Sequence, residues 1–216
     1  ALIKAGPGQN VWWVAPWYSP ANDAYRRMKH GLPRILYRPN EGNLTIELPN
    51  RVTMWFKSGE KPDTLYGPDV AAAVVDEASR FREEAWWAIR TTLSATRGPV
   101  RIIGNVKGRK NWFYEMARKA QAGEPDMSYA RLTWRDAVAA VRPDGRPILA
   151  AEEIEDARAK LPAKVFQELY EAEAADDEGN PFGDVRRCLG AMSVEAPVAW
   201  GWDLARSVDW TVGIAL

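Results

Sequence analysis

The sequence predicts an α/β fold in which a mostly parallel sheet is flanked by helices. Short apolar runs that are typical of strands alternate with longer segments of helical periodicity. The strand-like runs are apolar almost throughout, as expected for strands that are buried on both faces of a parallel sheet. The chain has 216 residues, of which 46% are hydrophobic, so it can form a sizeable core.

The first predicted elements are a strand and a helix. The apolar run at 10–16 is predicted as a buried strand that a proline ends. Ser19 is a favourable N-cap for the next helix, Pro20 suits its first position, and Gly31 suits the position after its end. The helix is therefore predicted to start near Ser19 and to stop at Gly31.

A β-hairpin is predicted next, followed by the strand that matters most for function. Segments 44–48 and 52–56 have strand character, and their connection through Pro49 and Asn50 favours a hairpin. A polar loop then leads to strand 71–75, whose five residues are all Ala or Val. The remaining elements predicted before residue 150 are helices 82–93 and 112–121 and strands 100–104 and 129–134.

The composition changes near residue 151, which suggests a domain boundary. The segment after 151 is acidic, Ala-rich and helical, and Pro162 divides it. Residues 198–216 are predicted as two strands or one hairpin, with an apolar end that suggests truncation. We therefore predict an incomplete first domain, a helical linker and the truncated start of a second domain. Their predicted bounds are 1–150, 151–196 and 197–216.

Charge and cysteine content exclude several broad classes. Twenty-nine basic and 29 acidic residues give a net charge of zero, so there is no general electrostatic case for nucleic-acid binding. DNA contacts would have to be local, for example at Arg26, Arg27 and Lys29 or at Lys107, Arg109 and Lys110. The single Cys188 fits a reducing compartment, and one Cys with one His excludes a zinc site built mainly from those ligands. No apolar run approaches the roughly 18 residues of a membrane span, and no membrane association is expected.

Two adjacent acids, Asp76 and Glu77, directly follow strand 71–75. Ligands of open parallel sheets bind at the carboxyl ends of the strands. Consecutive side chains of a strand point to opposite sides, so the two carboxylates can take different roles. One can hold a hydrated Mg²⁺ near nucleotide phosphates, and the other can activate a water. This is the Walker B pattern of P-loop ATPases; the alternative is that the acids only cap the strand and begin the next helix.

Asn105 follows the neighbouring strand 100–104. A polar side chain beside the Walker B strand can sense the γ-phosphate and pass its loss to the following loop. The alternative, an asparagine in a turn next to a glycine, is equally compatible with the local sequence. Together with Asp76 and Glu77, Asn105 predicts a P-loop NTPase-type sheet.

Four segments, in this order and spacing, resemble the large terminase subunit of tailed bacteriophages. They are "PDTLYGPDVAAAVVDEASR", "WWAIRTTLSATRGPVRIIGNVKGRKNWFYEMARK", "EEIEDARAKLPAKVFQELYEAEAADDEGNPF" and "WGWDLARSVDWTV". The resemblance extends from about residue 10 to 216. It implies a motor that packages DNA into proheads with an ATPase domain and cuts concatemeric DNA with an RNase H-like nuclease domain. It makes the segment after 197 the first strands of that nuclease.

The resemblance also implies roles for single residues. Asp76 corresponds to the acid associated with Mg²⁺, Glu77 to the catalytic base, and Asn105 to the coupling motif, where the family more often has Ser-Thr-Pro. Asp203 corresponds to the first metal-binding, catalytic acid of the nuclease, and Asp209 to an auxiliary metal ligand. The implied cofactors are Mg²⁺ with ATP as substrate, and Mg²⁺ or Mn²⁺ for the nuclease. Asp203 and Asp209 also fit a polar hairpin tip that binds no metal.

One departure from the family pattern limits the expected activity. No G-x-x-x-x-G-K-[ST] phosphate loop occurs in the chain. By resemblance that loop falls before Ala1 and further nuclease acids fall after Leu216. Without the phosphate loop, we expect this internal fragment alone not to bind ATP tightly. Because a two-metal nuclease needs three or four carboxylates, we also expect the fragment not to cut DNA well.

The partners and location of the whole protein follow from the same resemblance. It implies double-stranded DNA, the portal protein and the small terminase subunit as partners. It also implies a homo-oligomeric ring on the prohead, present in the host cytoplasm and not retained in the virion. The alternatives are a helicase-like P-loop ATPase without a nuclease and a non-catalytic assembly subunit.

Overall fold

The computed structural model describes residues 5–175 and, further along the chain, the backbone of two strands. The chain divides into two compact units, Ala1–Asp177 and Glu178–Leu216. The two helices of the predicted linker, Ala151–Lys160 and Ala163–Leu169, lie within the first unit. The domain bounds at 150 and 196 stay a prediction.

Eight strands and six α-helices are described. The strands are β1 Asn10–Ala15, β2 Arg38–Asn40, β3 Thr45–Glu47, β4 Thr53–Ser58, β5 Val70–Val75, β6 Val100–Ile102, β7 Trp200–Asp203 and β8 Val212–Ala215. The helices are α1 Tyr18–Gly31, α2 Glu83–Thr92, α3 Trp112–Gln121, α4 Trp134–Ala139, α5 Ala151–Lys160 and α6 Ala163–Leu169. Short 3₁₀ turns lie at Arg34–Leu36, Pro62–Leu65 and Ala78–Arg80.

Six strands of the first unit form one sheet in the order β2-β3-β4-β1-β5-β6. The pairs β4–β1, β1–β5 and β5–β6 are parallel, whereas β2–β3 and β3–β4 are antiparallel. The sheet confirms the predicted α/β class, the parallel pairing of its inner strands, and the hairpin of β3 with β4.

The sheet is covered on both faces, as the apolar strands predict. On one face Trp12 and Val14 of β1 pack with a buried cluster that includes Ala88 and Ile89 of α2. On the other face Tyr25 of α1 packs in a second cluster with residues of β3 and β4. Burial on both faces fixes the position and direction of β1 and β5, and thereby the place where the chain leaves β5.

Two local predictions are wrong. Residues 129–133 form no regular element, because Thr133 and Asp136 make a capping box that starts α4. That pair satisfies backbone donors at the helix N-terminus. The first helix begins at Tyr18 with Trp17 as its N-cap, so Ser19 does not cap it, and the helix includes Gly31.

The second unit contributes one described pair of strands. β7 and β8 are antiparallel, with Asp203 opposite Val212 in the register, which confirms the predicted pair of strands. In the part of the chain that the structure describes, no helix combines the length and apolar character that crossing a bilayer requires.

Candidate functional site

Asp76 and Glu77 lie at the carboxyl end of an inner strand. β5 is paired with β1 on one side and with β6 on the other, and it ends at Val75. The backbone N–H of Asp76 still donates to the carbonyl of Val14, at 2.8 Å, which continues the sheet pairing by one residue. The predicted placement of the two acids on an inner strand next to β6 is confirmed.

The backbone turns sharply at Glu77. This residue has φ 56° and ψ 44°, in the left-handed region, and it leads into the 3₁₀ turn Ala78–Arg80. We call residues 76–80 the acidic turn. Because β5 ends at Val75, the alternation of strand side chains does not set the directions of the two acids, and their different roles stay a prediction. A left-handed non-glycine residue costs about 1–2 kcal/mol, and such residues concentrate at functional sites.

The end of β6 holds the acidic turn in place. The N–H of Ala78 donates to the carbonyl of Ile103 at 2.9 Å. Gly104 then passes so close that a Cβ on it would lie 2.8 Å from the nitrogen of Ala78 and 3.2 Å from the carbonyl carbon of Glu77. Only a residue without a side chain allows this approach. Gly104 therefore sets how closely the chain after β6 lies against the acidic turn.

The two carboxylates have different electrostatic surroundings. Burial, followed by the charge of Glu77, raises the pKa of the Asp76 carboxyl above its ordinary value of 3.8. The backbone N–H of Glu77, and then the indole N–H of Trp13, counteract that rise in pKa. The Nε1 of Trp13 nevertheless makes no hydrogen bond of regular geometry within the described chain. Glu77 is paired instead with Arg80, whose Nε lies 3.2 Å from Oε2. A nearby cation would relieve the repulsion that Asp76 experiences.

A cavity of about 650 Å³ opens at the carboxyl ends of β5 and β6. Asp76, Glu77 and Asn105 all line it, so the structure brings together the three residues predicted for the first domain. Phe113 and Tyr114 of α3 form part of its wall. Residues from 129–132 and 167–174 complete the lining within the first unit.

The carboxylates present fit a magnesium ion that is only partly held by protein. Within the described ranges, no group of three or more His, Cys, Asp or Glu side chains is arranged as a metal site. Mg²⁺ typically keeps several waters and binds one or two carboxylates together with substrate phosphates. Asp76 therefore suits a site that the phosphates of a nucleotide would complete.

Sequence patterns did not identify three residues that hold the site together. Asn111 donates from Nδ2 to the carbonyl of Ser79 at 2.8 Å, and Trp112 donates from Nε1 to the carbonyl of Phe81 at 3.1 Å. Glu168 accepts the backbone N–H of Gly108 at 2.8 Å. An asparagine just before an aromatic helix start signals an N-cap, and Asn111 does cap α3, but no local pattern signals these longer contacts.

The acids predicted for the nuclease belong to the second unit. Asp203 is the last residue of β7. Asp209 lies outside the described residues. The metal roles of both remain predictions.

The first unit is thus an α/β domain with two adjacent acids and an asparagine gathered at the carboxyl ends of neighbouring parallel strands. No protein-family model matches the sequence. The large terminase subunits of Thermus phage G20c and of Thermus virus P23-45 are each 30% identical to this chain over 135 residues. Each match covers 52% of this chain and 28% of the relative, so the chain spans less than a third of the proteins it matches.

Solved structures give the fold. The ATPase domain of the large terminase of Thermus phage P74-26 superposes with a TM-score of 0.64 at 24% identity, covering 80% of this chain and 79% of that domain. The large terminase of another thermophilic bacteriophage, in complex with ADP, gives 0.62 at 16% identity, covering 80% and 42%. That same terminase with ATP-γ-S gives 0.60 at 17% identity, covering 79% and 41%. The predicted resemblance to large terminase subunits is confirmed, and the first unit has the fold of their ATPase domain.

Proposed function

We propose that this chain carries the ATP-hydrolysing core of a viral DNA-packaging motor, the large terminase. The observation that carries the proposal is the convergence of Asp76, Glu77 and Asn105 on one cavity at the carboxyl ends of β5 and β6. The matched terminase structures include complexes with ADP and ATP-γ-S, which supports a nucleotide as the ligand. ATP hydrolysis would then drive DNA into the prohead.

Each of the three residues has a role that follows from its position. Asp76, half-buried and repelled by its neighbour, holds the Mg²⁺-nucleotide; the metal supplies charge neutralisation at the phosphates. Glu77, on the turn after the strand, orients and deprotonates the attacking water. Asn105 lies on the loop after β6, where its amide can contact the γ-phosphate and respond to its loss.

The second unit is proposed to begin the RNase H-like nuclease. Asp203 is the last residue of a strand in an antiparallel pair. With Asp209 and acids supplied by the rest of the protein, it would hold Mg²⁺ or Mn²⁺ for cutting concatemeric DNA. Similarity to large terminases over half of the chain favours this over a helicase-like ATPase without a nuclease.

The partners and location are proposed from the same similarity. The whole protein would act on double-stranded DNA as a ring on the prohead, with the portal protein and the small terminase subunit as partners. It would work in the host cytoplasm, transiently on the prohead, and would not remain in the virion. A non-catalytic assembly subunit is the alternative, and it predicts no ATP hydrolysis at all.

The test is ATP hydrolysis by the full-length protein with Glu77→Gln and the matched control Glu84→Gln, an exposed acid in the first turn of α2. Loss of a general base typically lowers kcat by about 10²–10⁴-fold, and we expect this for Glu77→Gln with nucleotide affinity within about threefold of wild type. Glu84→Gln should behave as wild type. An active Glu77→Gln variant would refute the assigned base, and an inactive wild type would favour the assembly subunit.

Nuclease activity separates the terminase from the helicase-like alternative. Asp203→Ala in the full-length protein should abolish metal-dependent DNA cutting and leave ATP hydrolysis within about twofold of wild type, because the two chemistries use different acids. If wild type cuts no DNA under conditions in which it hydrolyses ATP, the helicase-like alternative is preferred.

A further inference from the structure

The loop 104–111, between β6 and α3, is fastened to the acidic turn at both of its ends. At its start, Gly104 lies against Ala78 at a distance that excludes a side chain. At its end, the Nδ2 of Asn111 donates to the carbonyl of Ser79 at 2.8 Å, while its Oδ1 accepts the N–H of Phe113 at 3.0 Å. The residues between these two points are exposed or half-buried, so burial does not hold the middle of the loop.

Glu168 of α6 supports the middle of the loop. Its Oε1 accepts the N–H of Gly108 at 2.8 Å and also lies 3.4 Å from the N–H of Ala175. Gly108 has a φ of 64°, so the loop turns in the left-handed region at the contact. A hydrogen bond to a carboxylate is about twice as strong as one between neutral groups. This contact joins residues 60 positions apart, in parts of the chain that meet only in the fold.

The helix that carries Glu168 is itself firmly placed. Phe166 is buried, and its ring stacks on Tyr170 at 4.9 Å between centroids. The carbonyl of Tyr170 accepts the N–H of Trp134 at 2.9 Å, which ties the end of α6 to the start of α4. Glu168 can therefore hold the loop rather than follow it.

We infer that Glu168 is a positioning residue for ATP hydrolysis, because its carboxylate fixes loop 104–111 and with it Asn105 and the turn that carries Glu77. The inference rests on the proposed function. Gly108 lies midway along the chain between Asn105 and Asn111, so its placement bears on both ends of the loop. Without an oxygen acceptor at this position, the N–H of Gly108 loses this hydrogen bond and the side chain of Asn105 samples more positions in the cavity.

The test compares Glu168→Ala and Glu168→Gln in the full-length protein, with Glu155→Ala on the exposed face of α5 as control. Misplacement of reacting groups by about 1 Å can cost 10²-fold, so a looser loop should lower kcat by about tenfold or more in Glu168→Ala. KM for ATP should change by less than about threefold. Glu168→Gln keeps an oxygen acceptor and should retain at least about half of the wild-type kcat, and Glu155→Ala should match wild type.

Hydrogen exchange gives a second readout that does not depend on activity. Backbone amides of residues 105–110 should exchange faster in Glu168→Ala than in wild type, Glu168→Gln or Glu155→Ala. Unchanged exchange, a wild-type kcat in Glu168→Ala, or equal loss in the Gln variant would overturn the inference. An inactive wild type would instead defeat the proposed function, and the inference would fall with it.

Discussion

Gly104→Ala tests whether the close approach of the chain after β6 sets the acidic turn. The new Cβ would lie 2.8 Å from the nitrogen of Ala78, and ordinary van der Waals contact begins at 3.4 Å. The turn or the loop must therefore move by about 0.6 Å, and the atoms in contact are backbone atoms that cannot swing aside. Overpacking of this kind costs about 1–3 kcal/mol, against about 0.4–1 kcal/mol gained from a less flexible unfolded chain.

We expect Gly104→Ala to lower the free energy of unfolding by about 1 kcal/mol. The loss of ATPase activity should be much larger than this loss of stability explains. A shift of about 0.6 Å in the backbone of Glu77 should lower kcat for ATP hydrolysis by about tenfold or more, with nucleotide affinity changed far less. The assays are denaturant unfolding, ATP turnover and nucleotide binding of the full-length protein.

The matched control is Gly42→Ala in the turn between β2 and β3. Its added Cβ would meet only the Oδ1 of Asn40, at 3.5 Å, so kcat should stay at the wild-type level. A Gly104→Ala variant that hydrolyses ATP as fast as Gly42→Ala would refute the proposed coupling of β6 to the turn.

Three further predictions concern charge and packing. Arg80→Ala should change the free energy of unfolding by less than about 1 kcal/mol, since its pair with Glu77 is half exposed, yet lower kcat several-fold because that carboxylate loses an orienting partner. Glu171→Gln should lower Tm at pH 7 by about 2–4 °C. The side chain of Arg135, followed by the indole of Trp134, lowers the pKa of the Glu171 carboxyl below its ordinary 4.5 in the folded protein. Its contribution to stability is therefore full above 4.5 and is lost as pH falls through the lowered folded value, below which the stabilities of the two forms should converge. Ile89→Ala, at a fully buried position, should cost about 2–5 kcal/mol in denaturant unfolding. If Glu171→Gln or Ile89→Ala is as stable as wild type at pH 7, the contacts described for that residue are contradicted.

Contacts between distant parts of the chain set the backbone at places where local sequence patterns were not sufficient. The run 129–134 has strand-like residues, but the Thr133–Asp136 capping box starts a helix there, and the N–H of Trp134 bonds to the residue after α6 instead of to a strand. The backbone turn that follows Asp76 also depends on distant contacts. The left-handed turn at Glu77 is supported by the carbonyl of Ile103 and by the space at Gly104, neither of which belongs to β5.

The sequence alone determined the inner strand and the two acids that follow it, because a short, continuous apolar run is typical of a parallel strand buried on both faces and the acids mark its end. It also determined that Asn105 follows the next strand. Only the tertiary structure decided how these residues meet and which distant groups hold them. The support from Glu168 depends on the path of a helix 60 residues further along the chain, and spacing in sequence carries no information about such a contact.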